Sequence, residues 1–324
     1  MAAIMRPWLV AVLWLGLIGA GSAWAEPFPS KPVHILVPYA AGGAVDILAR
    51  TLGQVLAKTW GQQPIVDNRP GAGGIVASQA LTQAAPDGHT LILVASGHPL
   101  NQFFYPSLPY DTFRDFTPIT EIGYSPLALI VGKDMPAKTL PELLAALRQK
   151  PEAFSYATSG NGTSAHLAGE LLKHMAGVDM TMIPFRGGAP AVTAVMAGQV
   201  PIGINPLAEV LSQVESGTVR ALAVSTATRS RVLPDVPTIA EQGVAGYDTA
   251  VWWGVLGPAG MSPDLVARIN RDIVAALREP DVIERFRSLG AEPVGSSPAD
   301  FAAYMHAEAD RWGPILKAAN IRMQ

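Results

Sequence analysis

The chain is 324 residues long, 49% apolar and 15% charged, with 23 Lys and Arg against 26 Asp and Glu, a formal charge of −3, and no cysteine. That length suits two domains, the apolar content excludes a disordered chain, and the slightly acidic balance speaks against nucleic acid as a partner. Without cysteine there are no disulfides, thiolate nucleophiles, iron–sulfur clusters or cysteine-held zinc. Residues 1–25 read as a secretory signal: Arg6 is the lone charge, an apolar run follows over 8–20, and Ala23-Trp24-Ala25 is an A-x-A cleavage site. A retained anchor fits less well, because about 20 apolar residues are needed to span a bilayer. Gly16, Gly19, Gly21 and Ser22 weaken the far end of this run. Cleavage after Ala25, with no cysteine behind it to carry lipid, predicts a soluble chain exported to the periplasm.

Residues 33–37 are a β-prone run that ends in Pro38-Tyr39-Ala40-Ala41-Gly42-Gly43. Apolar residues then recur at helical spacing from Ile47 to Leu56, and Gly61 stops that helix. A strand is predicted at 64–68, a helix at 75–85 and an almost wholly apolar strand at 90–96. Continuous apolarity points to burial on both faces, as in a parallel sheet covered by helices. From residue 127 the pattern starts again. Strands are expected at 127–131, 154–158, 180–185, 202–205 and 221–225, with helices at 141–149, 164–176, 190–197 and 207–215 between them. A last strand at 251–256 precedes a helical tail from residue 263. The predicted fold class is α/β, with two lobes, each a mostly parallel sheet flanked by helices. One lobe is expected to combine 26–124 with 251–324 and the other to span 125–250. Strands near 127–131 and 251–256 would cross between them as a hinge, with the C-terminal helices packed on the first lobe.

Ligands of doubly wound sheets bind beyond the carboxyl ends of strands, which restricts the candidate site to a few loops. Tyr39, Ala40, Gly42, Gly43, Ala44 and Asp46 lie where the first strand enters a helix. Thr158, Ser159, Asn161, Thr163, Ser164 and His166 occupy the matching place in the second lobe. Glycine lets main-chain N–H groups approach a ligand closely, and a helix N-terminus adds about half a positive charge. Two such loops facing one cleft would hold a carboxylate without Arg or Lys. Each loop alone is also what a tight turn with a helix cap looks like. Ser96, Gly97 and His98 follow the third strand, and Asn205 follows the strand at 202–205. At the lobe junction Trp252 is expected to face the ligand and its neighbour Trp253 to pack away from it, because successive strand residues point opposite ways.

Other chemistry finds little support. Gly71-Ala72-Gly73-Gly74 lacks the spacing of a dinucleotide fingerprint and reads as a structural turn, and no lysine completes a phosphate loop at 160–164. Gly162-Thr163-Ser164-Ala165-His166 misses the second glycine of a nucleophile elbow. Ser164 and His166, two apart at a helix start, point to different sides, which disfavours an exported serine hydrolase. The histidines have no metal-ligand spacing, so neither metal nor cofactor is expected. Asp46 can be read as a base or as an acid placed favourably in a first helical turn.

Several ordered segments carry a family resemblance over residues 32–321. They include Pro38-Tyr39-Ala40-Ala41-Gly42-Gly43-Ala44-Val45-Asp46, Asp67-Asn68-Arg69-Pro70-Gly71-Ala72-Gly73-Gly74 and Ala85-Pro86-Asp87-Gly88. Further ones are Ser159-Gly160-Asn161-Gly162-Thr163-Ser164-Ala165-His166, Pro184-Phe185-Arg186-Gly187 and Leu233-Pro234-Asp235-Val236-Pro237-Thr238. On these the chain resembles the Bug (TctC-type) solute-binding proteins of tripartite tricarboxylate transporters. The resemblance implies a clamshell periplasmic binding fold that holds one carboxylate of a small organic acid by main-chain amides and ordered waters from both lobes. It implies contacts from the two loops above and from the Ser96-Gly97-His98 loop. The expected ligand is a di- or tricarboxylate or an aromatic acid, the expected partner a tripartite-type membrane permease, and the default state a monomer. A sensor kinase that reads the closed receptor is the alternative partner. Asn205-Pro206 stands where many relatives have Asp-Asn, which disfavours an amino-acid ligand.

Overall fold

The apolar runs form strands and the runs at helical spacing form helices, in two successive series. The computed structural model describes residues 28–185 and 187–318, so the 1–25 segment read as a signal, Arg186 and the last residues lie outside it. The first series comprises β1 (His34–Val37), α1 (Ala44–Trp60), β2 (Ile65–Asn68), α2 (Ile75–Thr82), β3 (Thr90–Ala95) and the short α3 (Asn101–Phe104). A long strand, β4 (Phe116–Gly132), leads to α4 (Leu140–Gln149), β5 (Ser155–Thr158), α5 (Ser164–Ala176) and β6 (Thr181–Pro184). The second series ends with α6 (Gly188–Met196), β7 (Ile202–Pro206), α7 (Leu207–Glu215) and β8 (Val219–Val224). The chain returns through β9 (Ala250–Pro258) and closes with α8 (Pro263–Ala276), α9 (Pro280–Ser288), β10 (Glu292–Pro293) and α10 (Pro298–Ala318).

The strands form a mixed sheet in the order β2-β1-β3-β9-β4-β7-β5-β6, with β8 and β10 also paired to β4. β1, β2 and β3 run parallel, and β9 lies antiparallel between β3 and β4. Alternate residues of β3 feed opposite layers: Leu91 and Leu93 pack with α1 and α8, while Ile92 and Val94 pack with α2 and α10. This explains why the strand reads as an unbroken apolar run. β4 does the same in the second half, sending Leu127, Leu129 and Val131 toward α4 and α5 and Ala128 and Ile130 toward α6 and α7.

β4 is far longer than the predicted 127–131. Pro118, Gly123 and Pro126 break the apolar run, yet the strand absorbs them through register shifts between Pro118 and Thr120 and between Glu121 and Gly123. Glycine is required at 123, since a Cβ there would overlap the Glu292 carbonyl and the Phe286 ring. β4 alone continues through both halves. β9, expected as the second crossing strand, pairs only within the first, from Pro258 to Ala250 opposite Pro126. The return crossing is made instead where β8 ends at Val224 and Thr249 precedes β9. There Ser225 is buried, its Oγ accepts from Leu127 N–H (2.8 Å) and donates to the Thr249 carbonyl (2.6 Å). Its own N–H reaches Leu127 O and its carbonyl takes Thr249 N–H, each at 2.9 Å.

The C-terminal helices also differ from expectation. α8 and α9 pack on the first half, but α10, about 30 Å long at 1.5 Å per residue, reaches both. Phe301 and Met305 join the layer under α2, whereas Trp312 and Leu316 join the core of the second half, beside Leu100, Phe104 and Tyr156.

Candidate ligand-binding site

The loop after β1 is built around a buried acid. Asp46, in the first turn of α1, accepts from Gly42 N–H (2.9 Å), Arg50 Nε (3.1 Å) and Asn68 Nδ2 (3.0 Å). Burial alone would raise its carboxyl, but the bonds from Arg50, Gly42 and Asn68 outweigh that and hold it below the ordinary carboxylate range. Asn68 also donates to the Tyr39 carbonyl (3.1 Å), so the loop is clamped from beneath. Gly42 adopts φ +86°, a conformation open to glycine. Gly43, the residue before α1, offers no side chain to cap its first amides.

The loop after β5 is braced by its own side chains. Thr158 Oγ1 accepts from Gly160 N–H (3.3 Å), and Thr163 Oγ1 donates to Gly160 O (2.8 Å). Thr163 also caps α5 through His166 N–H (3.4 Å), while His166 Nδ1 accepts from Gly162 N–H (3.1 Å). Burial lowers the His166 pKa, in keeping with a neutral ring that accepts at Nδ1.

These two loops face the same cavity, of about 370 Å³. Tyr39, Ala44 and Val45 border it on one side, Ser159, Asn161, Thr163 and Ser164 on the other. Ser96 joins them and its Oγ lies 3.0 Å from Ser164 Oγ, a direct contact between the two halves. Of the predicted site residues, Tyr39, Ala44, Ser96, Ser159, Asn161, Thr163 and Ser164 therefore line the cavity. Ala40, Gly42 and Gly43 are exposed on the loop without lining it. Asp46, Thr158 and His166 are turned into their own loops as braces.

Three predicted residues lie elsewhere. His98 is buried in the first half, with Nδ1 3.4 Å from Ser78 Oγ and its ring against Tyr110 and Phe116. Burial pulls its pKa down to about 4. Trp252 is fully buried, its indole N–H directed to Glu308 (3.3 Å) and its ring against Phe301 and Tyr304. Strand alternation places Trp253, not Trp252, on the cavity. Asn205 is also fully buried, and neither polar atom of its side chain makes a hydrogen bond. Its neighbour Pro206 lines the cavity instead.

Sequence reasoning missed Gly73, Asn101, Phe104, Ser125 and Glu209, all in the cavity wall. Asn101 Nδ2 donates to Gly73 O (3.2 Å), which joins the glycine turn before α2 to the segment after β3. Nothing local marks these residues, because they converge from four separate elements. Among the described residues no Lys, Arg or His lines the cavity, and Glu209 is its one acid. Tyr39 is uncharged at neutral pH, its pKa pushed up to about 12 by burial. No group of three or more potential metal ligands occurs among the described residues.

The description that matches this sequence, over residues 48–321, is that of the tripartite tricarboxylate transporter family receptor, TctC. The chain belongs to this family. It is 33% identical to protein BugT of Bordetella pertussis over 321 residues, 98% of each chain. Among solved structures it is similar to Rpa4515 of R. palustris, solved with adipate (36% identity, TM-score 0.78, covering 91% of this chain and 100% of that one). It is likewise similar to MatC of Rhodopseudomonas palustris, solved with bound malate (33% identity, TM-score 0.74, covering 89% and 100%). The α/β architecture of this TctC-type receptor is thus that of a periplasmic solute-binding protein. No helix among the described residues is long and apolar enough to cross a membrane.

Proposed function

We propose that this receptor captures a small organic carboxylate between the loops after β1 and β5, closes around it and presents it to a tripartite-type permease. The observation that carries the reading is the meeting of two helix starts, Ala44-Val45 of α1 and Ser164-Ala165 of α5, on one cavity that has no cationic side chain among the described residues. A carboxylate drawn from water into such a site is compensated by main-chain N–H dipoles and hydroxyls instead of a counter-ion. Residues 26–124 with 251–324 would form one lobe and 125–250 the other, hinged where β4 and Ser225 cross, with the end of α10 spanning the hinge because Trp312 and Leu316 pack in the second half. A ligand that touches both lobes stabilises the shut form by its differential affinity for it. Adipate in Rpa4515 and malate in MatC support a small aliphatic acid, and the apolar walls at Phe104 and Trp253 also suit an aromatic one. Export follows from the 1–25 segment, cleaved after Ala25.

Micromolar affinity corresponds to about 8 kcal/mol, within reach of a few charge-assisted hydrogen bonds. A panel of mono-, di- and tricarboxylates should contain a member that, at about 100 times Kd, adds roughly 2.7 kcal/mol to unfolding stability. Thermal unfolding reads this directly, after native mass spectrometry has established that no ligand was carried through purification. A panel without any shift on ligand-free protein contradicts the proposal.

A further inference from the structure

Glu209 is the acid in a cavity otherwise walled by apolar side chains, hydroxyls and amides. It lies in the first turn of α7, three residues beyond Pro206. Its carboxylate rests against Gly188, the first residue of α6, so closely that a Cβ at 188 would overlap it. Gly188 therefore makes the seat in which the acid sits. Desolvation raises the Glu209 carboxyl above its ordinary value, while the start of α6 and the nearby Asn205 amide act the other way and favour the charged form. A second carboxylate on the ligand, brought into this small cavity, would meet that charge with no cation among the described lining residues to separate them.

We infer that the cavity selects monocarboxylates whose opposite end carries a cationic or hydrogen-bond-donating group, and that Glu209 is the residue that rejects a second carboxylate. This rests on the carboxylate reading above and narrows it. The acid end of the ligand would occupy the amide cradles, its carbon skeleton would lie along Phe104 and Trp253, and its donor end would meet Glu209. A donor rewards the acid in the cavity wall, whereas a second anion leaves two like charges facing each other.

Matched probes test the inference by isothermal titration on the full receptor. The pairs are 6-aminohexanoate with adipate, 4-aminobutanoate with succinate and 4-aminobenzoate with terephthalate. At least one donor-ended member should bind tenfold or more tightly than its dicarboxylate partner. Glu209→Gln should compress that preference to threefold or less, while Glu215→Gln, the same change at the exposed far end of α7 and outside the cavity, should keep it. Dicarboxylates binding as tightly as their partners in the unaltered receptor overturn the inference and leave the carboxylate reading intact. So does a preference that survives Glu209→Gln or disappears in Glu215→Gln. If no probe binds and the wider carboxylate panel is silent too, both readings fail. Circular dichroism of each variant establishes that it is folded before titration.

Discussion

His98 and Asp46 show how a residue of the right type next to a ligand site serves the site without touching it. His98 is buried and neutral between Ser78, Tyr110 and Phe116, with a folded pKa near 4. The unfolded chain, with an ordinary histidine pKa of about 6.5, binds a proton that the folded chain refuses over the interval between. Stability contributed by this histidine is therefore complete above about pH 6.5 and is lost as pH falls toward 4, by on the order of 3 kcal/mol. Urea unfolding at pH 7 and pH 4.5 should reveal a smaller loss in His98→Phe than in the unaltered receptor; equal losses would refute this role. Asp46 has the opposite sign of titration. Its depressed carboxyl contributes stability above the unfolded value near 3.8 and loses it as pH falls through the lower folded value. Because it ties Gly42, Arg50 and Asn68 together, Asp46→Ala should cost about 1–3 kcal/mol and weaken ligand binding at neutral pH. Unchanged affinity in a folded Asp46→Ala receptor would detach the loop from the site. From sequence, Asp46 was visible as an acid in a first helical turn, but its role needed Asn68, 22 residues away. His98 was misplaced because a loop histidine gives no local sign of which way it turns.

At the scale of elements, periodicity located nearly every strand and helix, since the layers of this fold impose the pattern that reveals them. It failed where two layers share one strand. β4 carries Pro118, Gly123 and Pro126, residues that normally punctuate a strand, because bulges and close contacts with β10 and α9 accommodate them. The Trp252–Trp253 pair illustrates the same limit, since alternation says that the rings part but not which one meets the cavity. The Ser225 crossing was equally invisible, as its four hydrogen bonds reach Leu127 and Thr249, remote in sequence. Ser225→Ala leaves a buried N–H at Leu127 and a buried carbonyl at Thr249 each short of a partner. The expected cost is about 1–3 kcal/mol in chemical denaturation, and a neutral substitution would mean that this crossing is not stiffened by the hydroxyl.

At the scale of the whole molecule, the two series place one helix start each on a shared cavity, and the Ser96–Ser164 contact brings the halves together at its rim. The pairing of a loop after β1 with a loop after β5 was legible because both sit at strand ends that enter helices. The remaining wall was not legible, since Glu209, Phe104 and Gly73 converge only when β4 and α10 fix the halves relative to each other. A crystal structure of the receptor with its tightest-binding acid tests the central claim most directly. It should place the carboxylate oxygens 2.7–3.2 Å from main-chain amides at the start of α1 and, directly or through one water, from the loop leading into α5. An acid held by one of these loops alone, or seated outside the cavity, would contradict the account.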